Sequence, residues 1–155
     1  MPYWYLPILT LPYFVLLLDI YRHLLRLTPF KPAPEPSIFI SVVVACKNGQ
    51  DYLPDLLVGL SKQRYTLHLF EVIIVDDHST DKTIEAARSY SYHLNLSILS
   101  NEGTGKKQAL RTGIECAKGG LIVTTDVDCS PSSLWLETIA SCYKLNKPDL
   151  IIAPV

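Results

Sequence analysis

Five short runs of apolar, largely β-branched residues recur along the chain, and between them the apolar period changes from every residue to every third or fourth. The runs are Ile38–Ala45, Val72–Val75, Leu94–Leu99, Leu121–Thr125 and Leu150–Ala153. Runs of this length without alternation suit strands buried on both faces, a condition met mainly in parallel sheets with helices on either side. The intervening segments carry helical spacing. Leu53, Leu56, Leu57 and Leu60 form one stripe; Ser79–Ser89 carries Ile84 and Ala87 behind a Ser79 or Thr80 cap; Lys106–Lys118 turns Ala109, Leu110, Ile114 and Ala117 inward; and Ser132–Leu145 follows Pro131. The fold class expected is therefore α/β: a Rossmann-like, mostly parallel sheet with helices on both faces.

Parallel sheets of this kind place their ligands outside the carboxyl ends of the strands, where the strand order reverses. The polar residues of this chain gather at those ends. Cys46, Lys47 and Asn48 follow the first strand; Asp76, Asp77, His78, Ser79, Thr80 and Asp81 the second; Asn101 to Lys106 the third. The fourth ends in Asp126-Val127-Asp128. Residues i and i+2 of a strand point to one side, so these two carboxylates converge, and their mutual repulsion is relieved by a hard cation such as Mg²⁺ or Mn²⁺ arriving with phosphate oxygens. The same pair also suits a turn with two solvated aspartates that caps the next helix.

Charge and composition narrow the class. A formal net charge of −1 gives no electrostatic basis for a nucleic-acid partner. Hydrophobic residues make up 48% of the chain, and the excess sits at its start, where Tyr3 to Leu18 carry no charge. Those residues would span roughly 24 Å as a helix, short of the roughly 30 Å hydrocarbon core unless the turns through Ile20 and Leu25 contribute. Tyr3, Trp4 and Tyr5 suit an interfacial belt, and Arg22, His23, Arg26 and Lys31 follow. Residues 1–28 are therefore expected to form a hydrophobic helix acting as a membrane anchor, spanning or deeply inserted, with the rest facing the cytoplasm; a soluble amphipathic helix is the other reading. Pro29, Pro32, Pro34 and Pro36 mark residues 29–37 as a semi-rigid linker, leaving residues 38–155 as the α/β domain. Arg22, Arg26 and Lys31 against Asp19 give residues 1–32 a net of +2, which leaves −3 for the remainder. The basic part is the part nearest the expected membrane.

Other motifs exclude more than they support. Gly103-Thr104-Gly105-Lys106 fails the Walker pattern, since Ser100 stands where its first Gly belongs and Lys107 where Ser or Thr belongs. His23, His68, His78 and His93 have no ligand spacing, which argues against a zinc site. Cys46, Cys116, Cys129 and Cys142 form no C-x-x-C and read as reduced, mostly buried thiols; Trp135 and Tyr143 are expected in the core. A phosphoacceptor receiver domain shares the parallel sheet, but its acidic pair follows an earlier strand than the Asp76-Asp77 pair does here.

Four segments together carry a resemblance: Ser41-Val42-Val43-Val44-Ala45-Cys46-Lys47-Asn48, Val75-Asp76-Asp77-His78-Ser79-Thr80-Asp81, Gly105-Lys106-Lys107-Gln108-Ala109-Leu110, and Asp126-Val127-Asp128. In order and spacing they resemble family 2 glycosyltransferases of the GT-A fold, from about Ser41 onward. The resemblance implies a nucleotide-diphosphate-sugar donor, a UDP-sugar above others, a divalent Mn²⁺ or Mg²⁺, and inverting transfer to a hydroxyl on a glycan or lipid-linked acceptor. By position, it implies that Ala45 and Lys47 line the base and ribose, and that Asp76 or Asp77 accepts a hydrogen bond from the base. It places Lys106 near the pyrophosphate, Asp126 at the ribose or metal, and Asp128 on the metal. Gly49 and Arg111 depart from the family's usual Glu and Asn. The family's catalytic base is an acidic residue in its acceptor half, so it is expected beyond Val155. A truncated module that binds nucleotide-sugar without transferring it is the second reading.

Overall fold

The computed structural model describes residues 6–25 and 37–152. The chain divides into two compact units, Met1–Lys31 and Pro32–Val155. In the first, α1 runs Leu6–Leu25 and exposes Leu11, Phe14, Val15, Leu18, Tyr21 and Leu25. Among the described residues no helix is long and apolar enough to cross a membrane, so the expected spanning segment is not found. Asp19, Arg22 and His23 interrupt the last turns of α1 with polar groups. The flanking Tyr3–Tyr5 belt and the proline linker lie outside the described residues.

The second unit is built on β1, Ile40–Cys46, whose valines suit a pleated backbone buried on both faces. Parallel β2 (Phe70–Asp76) pairs with it along its full length, from Ile40 opposite Phe70 to Cys46 opposite Asp76. Parallel β4 (Leu121–Thr125) pairs on the other side, Val44 opposite Thr125, and β3 (Leu96–Ser100) extends the sheet beyond β2. The order is β3-β2-β1-β4. The direction of addition reverses at β1, which makes the crevice between the ends of β1 and β4 the topological switch point.

Helices cover both faces. On one, Leu53, Leu56, Leu57 and Leu60 of α2 (Leu53–Ser61) and Trp135, Leu136, Ile139 and Ala140 of α5 (Trp135–Asn146) pack with Val42, Val44, Val72 and Ile74. Ala87 of the short α3 (Thr83–Ser89) joins the same cluster. On the other face, Ala109 of α4 (Lys106–Cys116) packs on Val43, Ile73 and Val75. The far end of the sheet is tied by a buried polar cluster. Ser41 Oγ donates to Glu71 Oε1 at 2.6 Å, the Lys118 N–H donates to the same oxygen at 2.8 Å, and the Gly119 N–H donates to Ser41 Oγ at 2.8 Å. These bonds fix the entry to β4, and hence the register that carries Asp126 to the rim.

Four expectations need correction. β4 ends at Thr125, so Asp126, Val127 and Asp128 do not continue the strand but form a turn that exposes both carboxylates, closed by the Cys129 N–H on the Asp126 carbonyl at 3.3 Å; the pair takes the turn reading rather than strand alternation. Leu150–Ile152 form no strand, and Leu150 and Ile152 are exposed; Ala153 lies outside the described residues. The segment runs alongside β4, but α5 ends with Lys147 in a left-handed conformation and Pro148 offers no N–H to a ladder. Helix α3 starts at Thr83 rather than after Ser79, because Ser79 and Thr80 bond to Asn48 instead of capping a helix. Only Cys46 of the four cysteines is buried; Cys116 is exposed and Tyr143 half-buried.

The approach of α4 to the sheet depends on one residue without a side chain. A Cβ on Gly113 would stand 2.4 Å from Val43 Cγ1 and 3.0 Å from Val75 Cγ2. Gly113→Val is expected to overpack this contact and lower stability by about 1–3 kcal/mol, measured by urea unfolding. An unchanged midpoint would contradict so close a packing.

Candidate nucleotide-diphosphate site

The loops at the carboxyl ends of β1 and β2 are zipped together before any ligand is considered. Asn48 turns the chain with φ 52°, a left-handed conformation that Asn tolerates better than most residues. Its N–H donates to Ser79 Oγ at 2.9 Å, and its Oδ1 accepts from the Thr80 N–H at 2.9 Å. The Gly49 N–H donates to Thr83 Oγ1 at 2.8 Å and the Gln50 N–H to Asp81 Oδ2 at 3.2 Å. Asp81 also accepts the Thr83 N–H and hydroxyl, and that hydroxyl contact first, then the backbone donors, holds its carboxyl below the usual range. Each of these residues would pass for an ordinary turn former in isolation. Their reciprocal pairing is long-range and has no sequence signature.

The two aspartates at the end of β2 separate in role. Asp76 turns its carboxylate to the Ser79 N–H at 3.2 Å and closes its own loop. Asp77 is buried at 5% exposure and reaches the β3 and α4 loops. Asn101 Nδ2 donates to its Oδ1 at 2.6 Å, and the Gly105 N–H donates to Oδ1 at 2.9 Å and Oδ2 at 3.0 Å. Those bonds, the Asn101 amide first and Gly105 next, hold the Asp77 carboxyl below its ordinary value, with Lys47 and His78 adding to the effect. His78 Nε2, 2.8 Å from the Gly103 carbonyl oxygen, closes the same loop from its other side. Gly105 sits at φ +93°, where a side chain would be strained, and leads directly into α4 with Lys106 as its first residue.

A cavity of about 410 Å³ opens at the switch point. Ala45 and Cys46 line it from the end of β1, Lys47 and Asn48 from the loop after it, Asp77 from the loop after β2, Lys106 from the start of α4, and Asp126, Val127 and Asp128 from the turn after β4. Every residue singled out in the sequence for this site is thus on one wall or another, except Asp76. Across the cavity mouth Lys106 Nζ stands 2.6 Å from Asp126 Oδ1, with both side chains more than half exposed.

Tyr52, also in the lining and 57% exposed, was not among the expected residues. Its one sequence signal is an aromatic ring placed just before the apolar stripe of α2 rather than on it. Cys46 lines the cavity as a neutral thiol: burial first, then Asp76 and Asp81, push it up to about 11. It therefore supplies neither a thiolate nucleophile nor a thiolate ligand near neutral pH.

Chemically, the cavity sets two cations, Lys47 and Lys106, beside the two carboxylates of Asp126 and Asp128. Among the described residues no cluster of three or more His, Cys, Asp or Glu is arranged to hold a metal by itself. Two carboxylates fit a Mg²⁺-type ion that completes its shell with water and ligand phosphate oxygens. Such a wall, on the carboxyl rim of a parallel sheet, belongs to the class of α/β domains that take phosphate-bearing ligands at the switch point.

Within that class the chain belongs to glycosyl transferase family 2, whose family model matches residues 41–155. It is similar to Glycosyltransferase AglE of Haloferax volcanii, 36% identical over 115 residues that cover 73% of this chain and 38% of that protein. It is also similar to the poly(ribitol-phosphate) beta-N-acetylglucosaminyltransferase TarS of Staphylococcus aureus, whose 1–349 structure in complex with UDP-GlcNAc superposes with a TM-score of 0.67 at 29% identity, covering 70% of this chain and 32% of that one. The mannosyltransferase PcManGT from Pyrobaculum calidifontis, in complex with GDP-Man and Mn²⁺, gives 0.67 at 29% identity over 81% of this chain and 39% of that chain. The chain therefore spans less than half the length of these relatives.

The Asp77 contacts carry a pH signature. A carboxyl held below its ordinary value contributes stability that is fully present above the unfolded value of about 3.9 and is lost as pH falls through the lowered folded value. Wild type is expected to exceed Asp77→Asn in urea stability at pH 7, with the gap narrowing below about pH 4, and amide exchange at Gly105 is expected to quicken in the variant. A gap independent of pH would remove the ionised Asp77 from this role.

Proposed function

We propose that this domain binds a nucleoside-diphosphate sugar, a UDP-sugar in particular, together with a divalent cation, and serves inverting transfer of the sugar to a hydroxyl acceptor. The observation that carries the reading is the convergence of Lys47, Lys106, Asp126 and Asp128 on one cavity at the switch point. The neighbours solved in complex with UDP-GlcNAc and with GDP-Man and Mn²⁺ support a nucleotide-sugar donor and a divalent metal for the family.

In this reading Asp126 and Asp128 hold the ion, and Lys47 and Lys106 offset phosphate charge that the two carboxylates would otherwise repel. The bound ion supplies Lewis-acid stabilisation to the departing nucleoside diphosphate. Ala45 and Tyr52 offer apolar surface to base and ribose. Of the aspartate pair, this reading assigns Asp77 to the base, because it lines the cavity and Asp76 does not. Its two donors are the Asn101 amide on Oδ1 and the one Gly105 N–H shared between both oxygens, which leaves Oδ2 acceptor capacity for a uracil N–H. The acceptor, and the group that deprotonates it, belong to the proposal for the whole protein, as does the α/β domain from residue 38 acting behind a proline linker.

Asp128→Asn removes one anionic ligand from a hard-cation site while leaving the sheet untouched. It is expected to weaken Mn²⁺-dependent UDP binding at least tenfold by calorimetry, at an unchanged urea midpoint. Equal affinity in the variant would exclude Asp128 as a metal ligand. Radiolabelled donor with glycan or lipid-linked acceptors separates transfer from the binding-only reading: UDP binding without transfer favours the module.

We further propose that α1 lies in a membrane interface and attaches the domain on the cytoplasmic side. Its exposed apolar residues surround the helix, so a single protein groove would leave part of them in water, whereas a lipid boundary covers more of the circumference. The full chain is expected to float with anionic liposomes and to remain bound in high salt, because apolar burial is not screened. Loss of flotation in salt, or equal flotation after removal of residues 1–36, would contradict this.

A further inference from the structure

The ion pair across the cavity links two features that the site needs separately. Lys106 is fixed at its backbone, since the Gly105 N–H immediately before it is held by the buried Asp77 carboxylate, itself bonded to Asn101. From that anchored position its side chain crosses to the end of β4 and reaches Asp126 Oδ1 at 2.6 Å, a short charge-assisted contact. Asp126 is also, with Asp128, one of the two carboxylates that the turn after β4 sets on this cavity.

We propose that Lys106 and the divalent cation compete for Asp126, so that the lysine acts as an internal counter-ion which a nucleoside diphosphate draws away as the metal takes the carboxylate. The inference rests on the donor reading above and adds to it an order of events. An ammonium in contact with Oδ1 and a divalent ion on the same carboxylate repel each other across a few ångströms. A diphosphate resolves the conflict by giving the ammonium an anionic partner of its own. Lys106 can make this exchange because its side chain is 61% exposed and only its backbone is clamped. Lys47, the other cation in the cavity, has no ion pair among those described and needs no such release. Metal alone should then bind weakly. Metal and nucleotide should strengthen each other, by the same factor in either direction.

The test compares wild type, Lys106→Met and Lys107→Met. Lys107 follows on α4 and lines a different groove, so its variant carries the same loss of charge without touching the pair. Mn²⁺ affinity in the absence of nucleotide is read from the free-ion electron paramagnetic resonance signal at low ionic strength, and UDP affinity at fixed Mn²⁺ is read by calorimetry. Lys106→Met is expected to bind Mn²⁺ alone about three- to fivefold more tightly than wild type, the scale set by a solvent-screened pair. The gain should fade in 1 M salt, where the Debye length falls to about 3 Å. UDP affinity should fall, and the mutual strengthening of Mn²⁺ and UDP should shrink. Lys107→Met should match wild type throughout, and equal urea midpoints exclude a folding defect.

Wild type binding UDP with Mn²⁺ while Lys106→Met gains no Mn²⁺ affinity over Lys107→Met would overturn the exchange and leave the donor reading intact. A Mn²⁺ gain in Lys106→Met with no UDP binding by wild type would support the competition and overturn the donor reading.

Discussion

Parallel pairing on both sides of β1 is the constraint on which the remaining structure depends. Because β2 and β4 run in the same direction as β1, in registers that place Cys46 opposite Asp76 and Val44 opposite Thr125, the loops leaving all three strands emerge on one rim. A one-residue slip of β4 would reverse the facing of its side chains and displace the turn after Thr125 that carries Asp126 and Asp128. The Ser41, Glu71 and Gly119 bonds at the far end of the sheet oppose that slip, so a buried polar cluster far from the cavity bears on its chemistry.

At the rim itself, the site is ordered mainly by polar groups bonded to each other rather than by apolar burial. Asp77 is the junction: one buried carboxylate binds the β3 loop through Asn101 and the start of α4 through Gly105. This leaves backbone positions fixed and the long Lys106 side chain free to change partners. A rigid frame with one adjustable cation suits a ligand that brings both negative charge and a metal ion.

The elements most legible in the sequence were those decided by local pattern. The valine run of β1, the leucine stripe of α2 and the apolar run of β4 fall within a residue or two of their expected limits, and the parallel sheet follows from them. Patterns that depend on a distant partner are not legible in the same way. Leu150–Ile152 has strand composition but gains no ladder, and Ser79 and Thr80 have cap chemistry but spend it on Asn48. The site showed the same division. Strand-end position sufficed to collect Lys47, Asp77, Lys106, Asp126 and Asp128 in one cavity, whereas the divergence of Asp76 from Asp77, the neutral state of Cys46 and the exposed ring of Tyr52 depend on side-chain direction and burial. Adjacent aspartates on an emerging loop look alike in sequence and differ entirely in which neighbours they meet.

The central claim is that the Asp126–Asp128 wall receives a divalent ion bridged to a nucleoside diphosphate. The most direct measurement is the anomalous scattering of Mn²⁺ in crystals of the chain grown with UDP. The account predicts a single Mn²⁺ peak within about 2.0–2.6 Å of carboxylate oxygens of Asp126 or Asp128 and of diphosphate oxygens, the range expected for hard-cation ligands, with Lys106 Nζ moved from Asp126 to phosphate. UDP bound elsewhere, or bound in the cavity with no Mn²⁺ at these carboxylates, would contradict it.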